Sequence, residues 1–275
     1  MTDQGAIADE GSAYSRYIGA MHNNPVKHAL KEGKLQAGCA FGALRSPDVA
    51  RILAAAGFDW TYIDSEHGPF GLETQADLCR AAVNAGLMPI VRVADLQYAL
   101  VARALDNGAM GIIFPRVEDP ALLARAVSWT KFPPKGVRGF GLGPAHIDYK
   151  KATIPQIIDH MNDNTLVVLQ IETKTAVERR DDLLSVPGID AIMIGPADLS
   201  ISLGVPGQFD HPTVVETIEK VKESCLRHGV APGIHMRGLP LAKYWKEHGM
   251  KFLSCGAEFG FLLEGATATA SALKA

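Results

Sequence analysis

The chain has 275 residues, with 27 Lys plus Arg against 30 Asp plus Glu and a formal net charge of -3. Hydrophobic residues at 47% and charged residues at 21% are ordinary globular usage and exclude a disordered chain, while the balanced charge without a basic block excludes a nucleic-acid binder that works by phosphate neutralisation. Cys39, Cys79, Cys225 and Cys255 lie far apart with no C-x-x-C, which excludes a disulfide framework and a zinc knuckle.

In chain order, residues 1–24 read as an extension. Their first stretch, Met1 to Gly19, carries Asp3, Asp9 and Glu10 and lacks the basic start and apolar run of a secretory signal. No uninterrupted apolar run is long enough to span a membrane, so a soluble cytoplasmic protein is expected. From residue 25 to 275 the pattern is one domain. The apolar run Leu35–Gly42 precedes a helical stretch Pro47–Ala56 closed by Gly57. Trp60–Asp64 precedes Gln75–Ala85 and Gly86; Met88–Val93 precedes Leu96–Leu105 and Gly108. Met110–Pro115 precedes Pro120–Trp129, after which Lys131–Asn164 reads as an elaborated loop rich in Pro and Gly. Leu166–Ile171 leads to Thr175–Leu184, Ala191–Ile194 to Thr213–Arg227, Pro232–His235 to Leu239–His248, and Phe252–Ser254 to an Ala-rich tail.

Each run is short and largely apolar, as parallel strands covered by helices are, and Gly after a helix with Ser or Asp before one marks the stops and starts. Eight strand-then-helix units in about 250 residues predict an α/β fold, a closed (β/α)8 TIM barrel, in preference to an open doubly wound sheet.

In such a barrel the chemistry gathers at the C-terminal ends of the strands. Those positions carry Asp64, Glu66 and His67 after strand two, Arg92 at strand three and Gln170 and Glu172 at strand five. Asp198 follows strand six, His235 ends strand seven and Glu258 follows strand eight. Gln170 and Glu172 differ by two and share one side of their strand. An inward carboxylate needs a salt bridge or a cation, so Glu172 is a candidate metal ligand or half of an ion pair. Asp198 is a second candidate ligand or a helix cap. His67 is a candidate base or a rim histidine, and Arg92 a substrate contact or a partner for Asp64 or Glu66.

Two carboxylates without clustered Cys or His favour a hard divalent cation, Mg2+ first and Mn2+ or Co2+ as substitutes. Such an ion accepts a chelating 2-oxo acid, polarises its carbonyl and stabilises an enolate, with a base and a cation such as Arg92 completing the site. A Schiff-base aldolase needs a lysine at a strand end instead. Lys174, just beyond strand five, keeps that route open, whereas Lys251 stands at the entry of strand eight.

Asp-Ser-Glu-His-Gly-Pro-Phe (64–70), Val-Arg-Val (91–93), Gln-Ile-Glu-Thr (170–173) and Gly-Pro-Ala-Asp-Leu-Ser (195–200), in this order, resemble the HpcH/HpaI family of class II, metal-dependent pyruvate aldolases. The resemblance covers about residues 25–265, and Leu-Asp-x-Gly at Leu105–Gly108 also matches. It implies a barrel of the phosphoenolpyruvate/pyruvate type and reversible cleavage of a 4-hydroxy-2-oxo acid into pyruvate and an aldehyde. By position it makes Glu172 and Asp198 metal ligands and puts Gln170, Ala197 and Asp198 against the 2-oxo acid. It makes His67 a base acting through water, Arg92 the transition-state stabiliser and Asp106 the partner that raises the basicity of His67. It also implies a homohexamer with exchanged C-terminal helices.

The stretch Gly136–Tyr149, with Arg138, His146 and Asp148, departs from the type members and is a candidate lining for the aldehyde half. Its glycines do not complete a dinucleotide fingerprint. Two further readings stay open: a metal-enolate enzyme acting on acyl-CoA esters or oxaloacetate, and a non-catalytic barrel.

Overall fold

The computed structural model describes residues 21–141, 147 and 149–275. Most of the predicted extension, with His146 and Asp148, lies outside them.

Eight parallel strands close into a barrel in sequence order: β1 (Gln36–Phe41), β2 (Trp60–Asp64), β3 (Met88–Arg92), β4 (Gly111–Phe114), β5 (Leu166–Ile171), β6 (Ala191–Ile194), β7 (Gly233–Met236) and β8 (Phe252–Ala257). β8 pairs back onto β1, with a register shift between Gly38 and Ala40. The helices are α1 (Pro25–Lys31) ahead of β1, then α2 (Asp48–Ala55), α3 (Leu72–Asn84), α4 (Tyr98–Asp106), α5 (Pro120–Ser128), α6 (Ile154–Asn164), α7 (Lys174–Glu178), α8 (Arg180–Leu184), α9 (Pro196–Ser202), α10 (Pro212–His228), α11 (Leu239–Glu247) and α12 (Glu258–Lys274). None is long and apolar enough among the described residues to cross a membrane. The barrel predicted from the eight repeated units is the fold observed.

Period-two alternation divides each strand between two cores. Outward residues such as Ile63, Val91, Val167, Leu169 and Ile192 pack under the helices. Inward residues fill the barrel: Trp60 and Tyr62 of β2, Met88 and Ile90 of β3, Leu166 and Val168 of β5, Met193 of β6 and Phe252 of β8. Trp60 stacks on Phe252 with ring centroids 3.9 Å apart. At Gly38 of β1 a Cβ would sit 2.3 Å from the Trp60 indole, so the barrel floor admits the indole only opposite glycine.

The inward columns become polar one step further up. Trp60 and Tyr62 are followed by Asp64, Met88 and Ile90 by Arg92, Leu166 and Val168 by Gln170 and Glu172. That single change of character sets the site above an apolar plug.

The opposite mouth is closed by α1, whose Val26 and Leu30 are buried in the interior core. A helix of 7 residues is too short to persist alone. Burial of those two side chains, worth about 2 kcal/mol each, fixes it, together with Asn24. The Asn24 N–H donates to Asn164 Oδ1 at 2.7 Å, its Nδ2 donates to Met110 O and Asn164 O, and its Oδ1 accepts the Lys27 N–H.

Three local expectations change. The stretch 131–164 is not loop throughout: α6 occupies its end, opened by a capping box in which Thr153 and Gln156 bond each other's backbone N–H. The stretch Thr175–Leu184 is two short helices separated at Arg179. Helix α9 begins at Pro196 with Gly195 as its N-cap, which puts Asp198 inside the first turn; Asp198 does not cap it.

Candidate active site

A cavity of about 590 Å³ opens at the C-terminal ends of the strands, above Tyr62 and Met193. Asp64, His67, Arg92, Gln170, Ala197 and Asp198 all line it. Five of the seven site residues expected from the sequence therefore share one cavity wall, and a sixth, Glu172, lies directly behind it against Gln170.

Glu172 is 2% exposed. Its Oε1 accepts the Arg116 N–H at 2.9 Å and its Oε2 accepts a hydrogen bond from Gln170 Nε2. Burial raises the Glu172 carboxyl above the ordinary carboxylate range, and the negative charges of Glu66 and Asp198 push it the same way. The hydrogen bonds from Gln170 and Arg116 only partly oppose this. Asp198 is half exposed, with Oδ1 3.9 Å from Arg116 Nη1. Two residues that sequence reasoning missed build this corner. Arg116 holds φ 56°, a left-handed conformation that costs a non-glycine about 1–2 kcal/mol, and it points its N–H at Glu172. No sequence pattern announces that. Gly195 is needed because a Cβ there would lie 2.8 Å from Glu172 Oε2 and 3.1 Å from Gln170 Nε2. Its place two residues beyond Met193 on the inward column was readable.

Across the cavity Arg92 forks onto Asp64, with Nε donating to Oδ1 at 3.0 Å and Nη2 to Oδ2 at 2.6 Å. Nη1 lies 3.3 Å from Glu66 Oε2. Both pairings anticipated for Arg92 are made, and the guanidinium still borders the cavity. Burial alone would raise the Asp64 carboxyl, but the Arg92 hydrogen bonds and charge hold it below the usual range. Glu66 is raised, chiefly by burial, and its Oε2 accepts no hydrogen bond. His67 is two-thirds exposed at the rim, its Nε2 3.7 Å from Glu66 Oε2 and its N–H donated to Asp64 Oδ1.

Other expectations are redirected. Asp106 does not meet His67 within the chain. It ends α4, which runs antiparallel to the strands, and so lies toward their N-terminal ends, where Arg138 Nη2 donates to its Oδ1 at 2.6 Å. Glu258 is not a free site group: its carboxylate accepts the N–H groups of Gly42, Ala43 and Leu44 and ties α12 to the loop after β1. The stretch after Gly136 does not line the cavity among the described residues; Gly139 and Arg138 pack against α4 instead. No lysine lines the cavity among the described residues, and Lys174 points along α7 with Nζ 3.8 Å from Glu178, which removes the imine route.

The corner suits a hard divalent cation. Glu172 keeps lone pairs beyond the two hydrogen bonds it accepts, the buried Gln170 Oε1 has no partner, and Glu172, beside Glu66 and Asp198, meets no cationic side chain among the described residues. Among the described residues no group of three His, Cys, Asp or Glu encloses a metal; a hard cation held by fewer protein groups keeps its other positions for water and substrate.

The family profile of HpcH/HpaI aldolase/citrate lyase matches residues 38–263. The 4-hydroxy-2-oxo-heptane-1,7-dioate aldolase of Salmonella paratyphi C (strain RKS4594) is 37% identical over 248 residues, which are 90% of this chain and 94% of that protein. The crystal structure of an HpcH/HpaI aldolase from Desulfitobacterium hafniense DCB-2 superposes with TM-score 0.87 at 33% identity, covering 93% of this chain and 97% of the other. That of citrate synthase SbnG superposes with TM-score 0.80 at 29% identity, covering 90% and 96%. With four motifs in register, one closed barrel and a profile match over most of its length, the chain belongs to the HpcH/HpaI aldolase/citrate lyase family of carbon–carbon lyases.

Proposed function

We propose that this protein reversibly cleaves a 4-hydroxy-2-oxo acid to pyruvate and an aldehyde, with Glu172 and Asp198 holding a divalent cation, Mg2+ before Mn2+ or Co2+. The observation that carries the reading is the Glu172–Gln170–Gly195 corner, a buried carboxylate pressed by like charges and opening on the same cavity as Arg92 and His67. When bound, the cation would polarise the 2-oxo group and stabilise the negative charge that develops there. Gln170 and the first-turn N–H of Ala197, which has no acceptor within its helix, orient the acid. His67, through water, takes the proton of the C4 hydroxyl. The C3–C4 bond then breaks, its electron pair passes into the pyruvate half, and the aldehyde leaves. Arg92 neutralises the developing oxyanion. Return of a proton to C3 completes pyruvate.

Pyruvate methyl protons should exchange with deuterium oxide in the presence of Mg2+ and stop exchanging with EDTA, read by NMR. Exchange that survives complete metal removal would sink the proposal. The likeness to citrate synthase SbnG favours, as second reading, a metal-enolate enzyme acting on oxaloacetate or acyl-CoA esters. Turnover of those compounds without aldol cleavage would establish it.

Asp106 enters this scheme from a neighbouring copy, since its own His67 stands at the other end of the barrel. The exposed Phe261, Leu262 and Leu263 of α12 support a homo-oligomer, a hexamer by the resemblance, and the cytoplasm is the compartment proposed for it. Mixing inactive His67→Ala and Asp106→Ala subunits should then restore part of the activity, because some mixed sites carry both native residues. Additive, unrestored activities would place Asp106 outside catalysis.

A further inference from the structure

Two arginines are buried among the described residues: Arg92, which borders the catalytic cavity, and Arg138, which does not. The Arg138 side chain is fully enclosed, with its guanidinium 4.6 Å from the centre of the Phe132 ring. It has one anionic partner. Nη2 donates to Asp106 Oδ1 at 2.6 Å, while Nε and Nη1 find no hydrogen-bond partner among the described residues. A guanidinium has five N–H groups to place, so this burial is poorly compensated, and it pulls the Arg138 pKa below the ordinary arginine value although Asp106 opposes the shift. An apolar side chain of similar volume would cost the fold less. Stability therefore does not account for a charge at this position.

Its partner faces outward. Asp106 is the last residue of α4, and its side chain is 30% exposed. Arg138 occupies Oδ1, and Oδ2 accepts no hydrogen bond among the described residues. The backbone around Arg138 is anchored, which makes the grip rigid. Val137 N–H donates to Ser128 O and Arg138 N–H to Lys131 O, both at 2.9 Å, and Gly139 N–H donates to the Tyr98 hydroxyl at the start of α4. One carboxylate oxygen is thus held from inside the protein, and the other is presented outward at a fixed angle.

We infer that Arg138 is a positioning residue for the aldol reaction: it clamps Asp106 Oδ1 so that Oδ2 meets the imidazole of His67 in a neighbouring copy of the chain. This rests on the proposed action of Asp106 across subunits. Arg138→Met fills the buried volume without the charge. It should leave the unfolding temperature unchanged or raise it, and lower kcat about 10- to 100-fold. The KM for the 2-oxo acid should stay within about twofold, because Arg138 stands behind Asp106 and touches no substrate. Arg138→Lys should recover part of kcat. Adding Arg138→Met to Asp106→Ala should cost nothing more, since the clamp then holds nothing.

Co-assembled subunits show which site Arg138 serves. Arg138→Met chains keep a native His67, and His67→Ala chains keep a native Arg138 and Asp106, so their mixture should regain activity as some sites unite the native residues. If Asp106→Ala chains complement His67→Ala chains and Arg138→Met chains do not, or if the unfolding temperature of Arg138→Met drops along with kcat, Arg138 only supports its own chain. The inference then fails while the role of Asp106 stands. If neither mixture regains activity, the action of Asp106 across subunits fails and this inference with it.

Discussion

Glu172→Gln should abolish Mg2+ binding and slow pyruvate proton exchange on the order of 10³-fold, the loss of several kcal/mol of charge stabilisation. The fold should survive. Glutamine has the same shape, its carbonyl can still accept the Arg116 N–H, and the unpartnered Oε1 of Gln170 can turn to accept from the new amide. Removing the carboxylate also removes a burial cost. Because burial raises the folded pKa of Glu172, its contribution to stability is fully present below the unfolded value near 4.3 and is lost as pH rises through the folded value. Metal-free wild type should therefore lose stability relative to Glu172→Gln as pH climbs from about 4 toward 7. Added Mg2+ should raise the unfolding temperature of wild type alone. Calorimetric titration and thermal unfolding read both effects, and a variant that still binds Mg2+ with wild-type affinity would remove Glu172 from the ligand set.

The barrel was legible because it repeats: eight apolar runs followed by stop and start signals leave little else to build. Helix α6 was masked by the Pro and Gly residues ahead of it, although Thr153 and Gln156 carry the spacing of a capping box. The break at Arg179 has no Gly or Pro to announce it. In the site, the period-two columns made Gln170 and Glu172 readable together, and the strand-end rule brought in His67, Arg92 and Asp198. What the sequence withheld was pairing. Glu258 looked like another strand-end acid, yet it binds three N–H groups more than 200 positions away in the chain, a contact made only when β8 closes on β1. Asp106 came from the resemblance alone, and the direction of α4 carries it away from His67 in its own chain. Arg116 was invisible for another reason: its contribution is a backbone N–H in a left-handed conformation, which no side-chain pattern encodes.

Arg92→Lys separates chemistry from support. The native guanidinium divides its edges, giving Nε and Nη2 to Asp64 while Nη1 faces Glu66, and the N–H groups left over are free for an oxyanion. A lysine ammonium, a single point charge, can neutralise Asp64 or reach the substrate but cannot reproduce the fork. kcat/KM should fall on the order of 10²- to 10³-fold, as for loss of one oxyanion donor. Arg92→Ala should add a stability loss of about 3–5 kcal/mol by leaving buried carboxylates unpaired. The pH dependence follows from Asp64. Burial would raise its carboxyl, but Arg92 holds it depressed in the folded state, so its contribution is present above the unfolded value of roughly 3.9 and disappears as pH falls through the folded value. Weakening the pair should move acid unfolding to higher pH, most in the alanine variant and less in the lysine variant. Urea titrations between pH 3 and 7 and proton-exchange rates on the same samples decide the matter. If lysine keeps the wild-type rate while stability falls, Arg92 supports Asp64 and Glu66 and takes no part in the reaction.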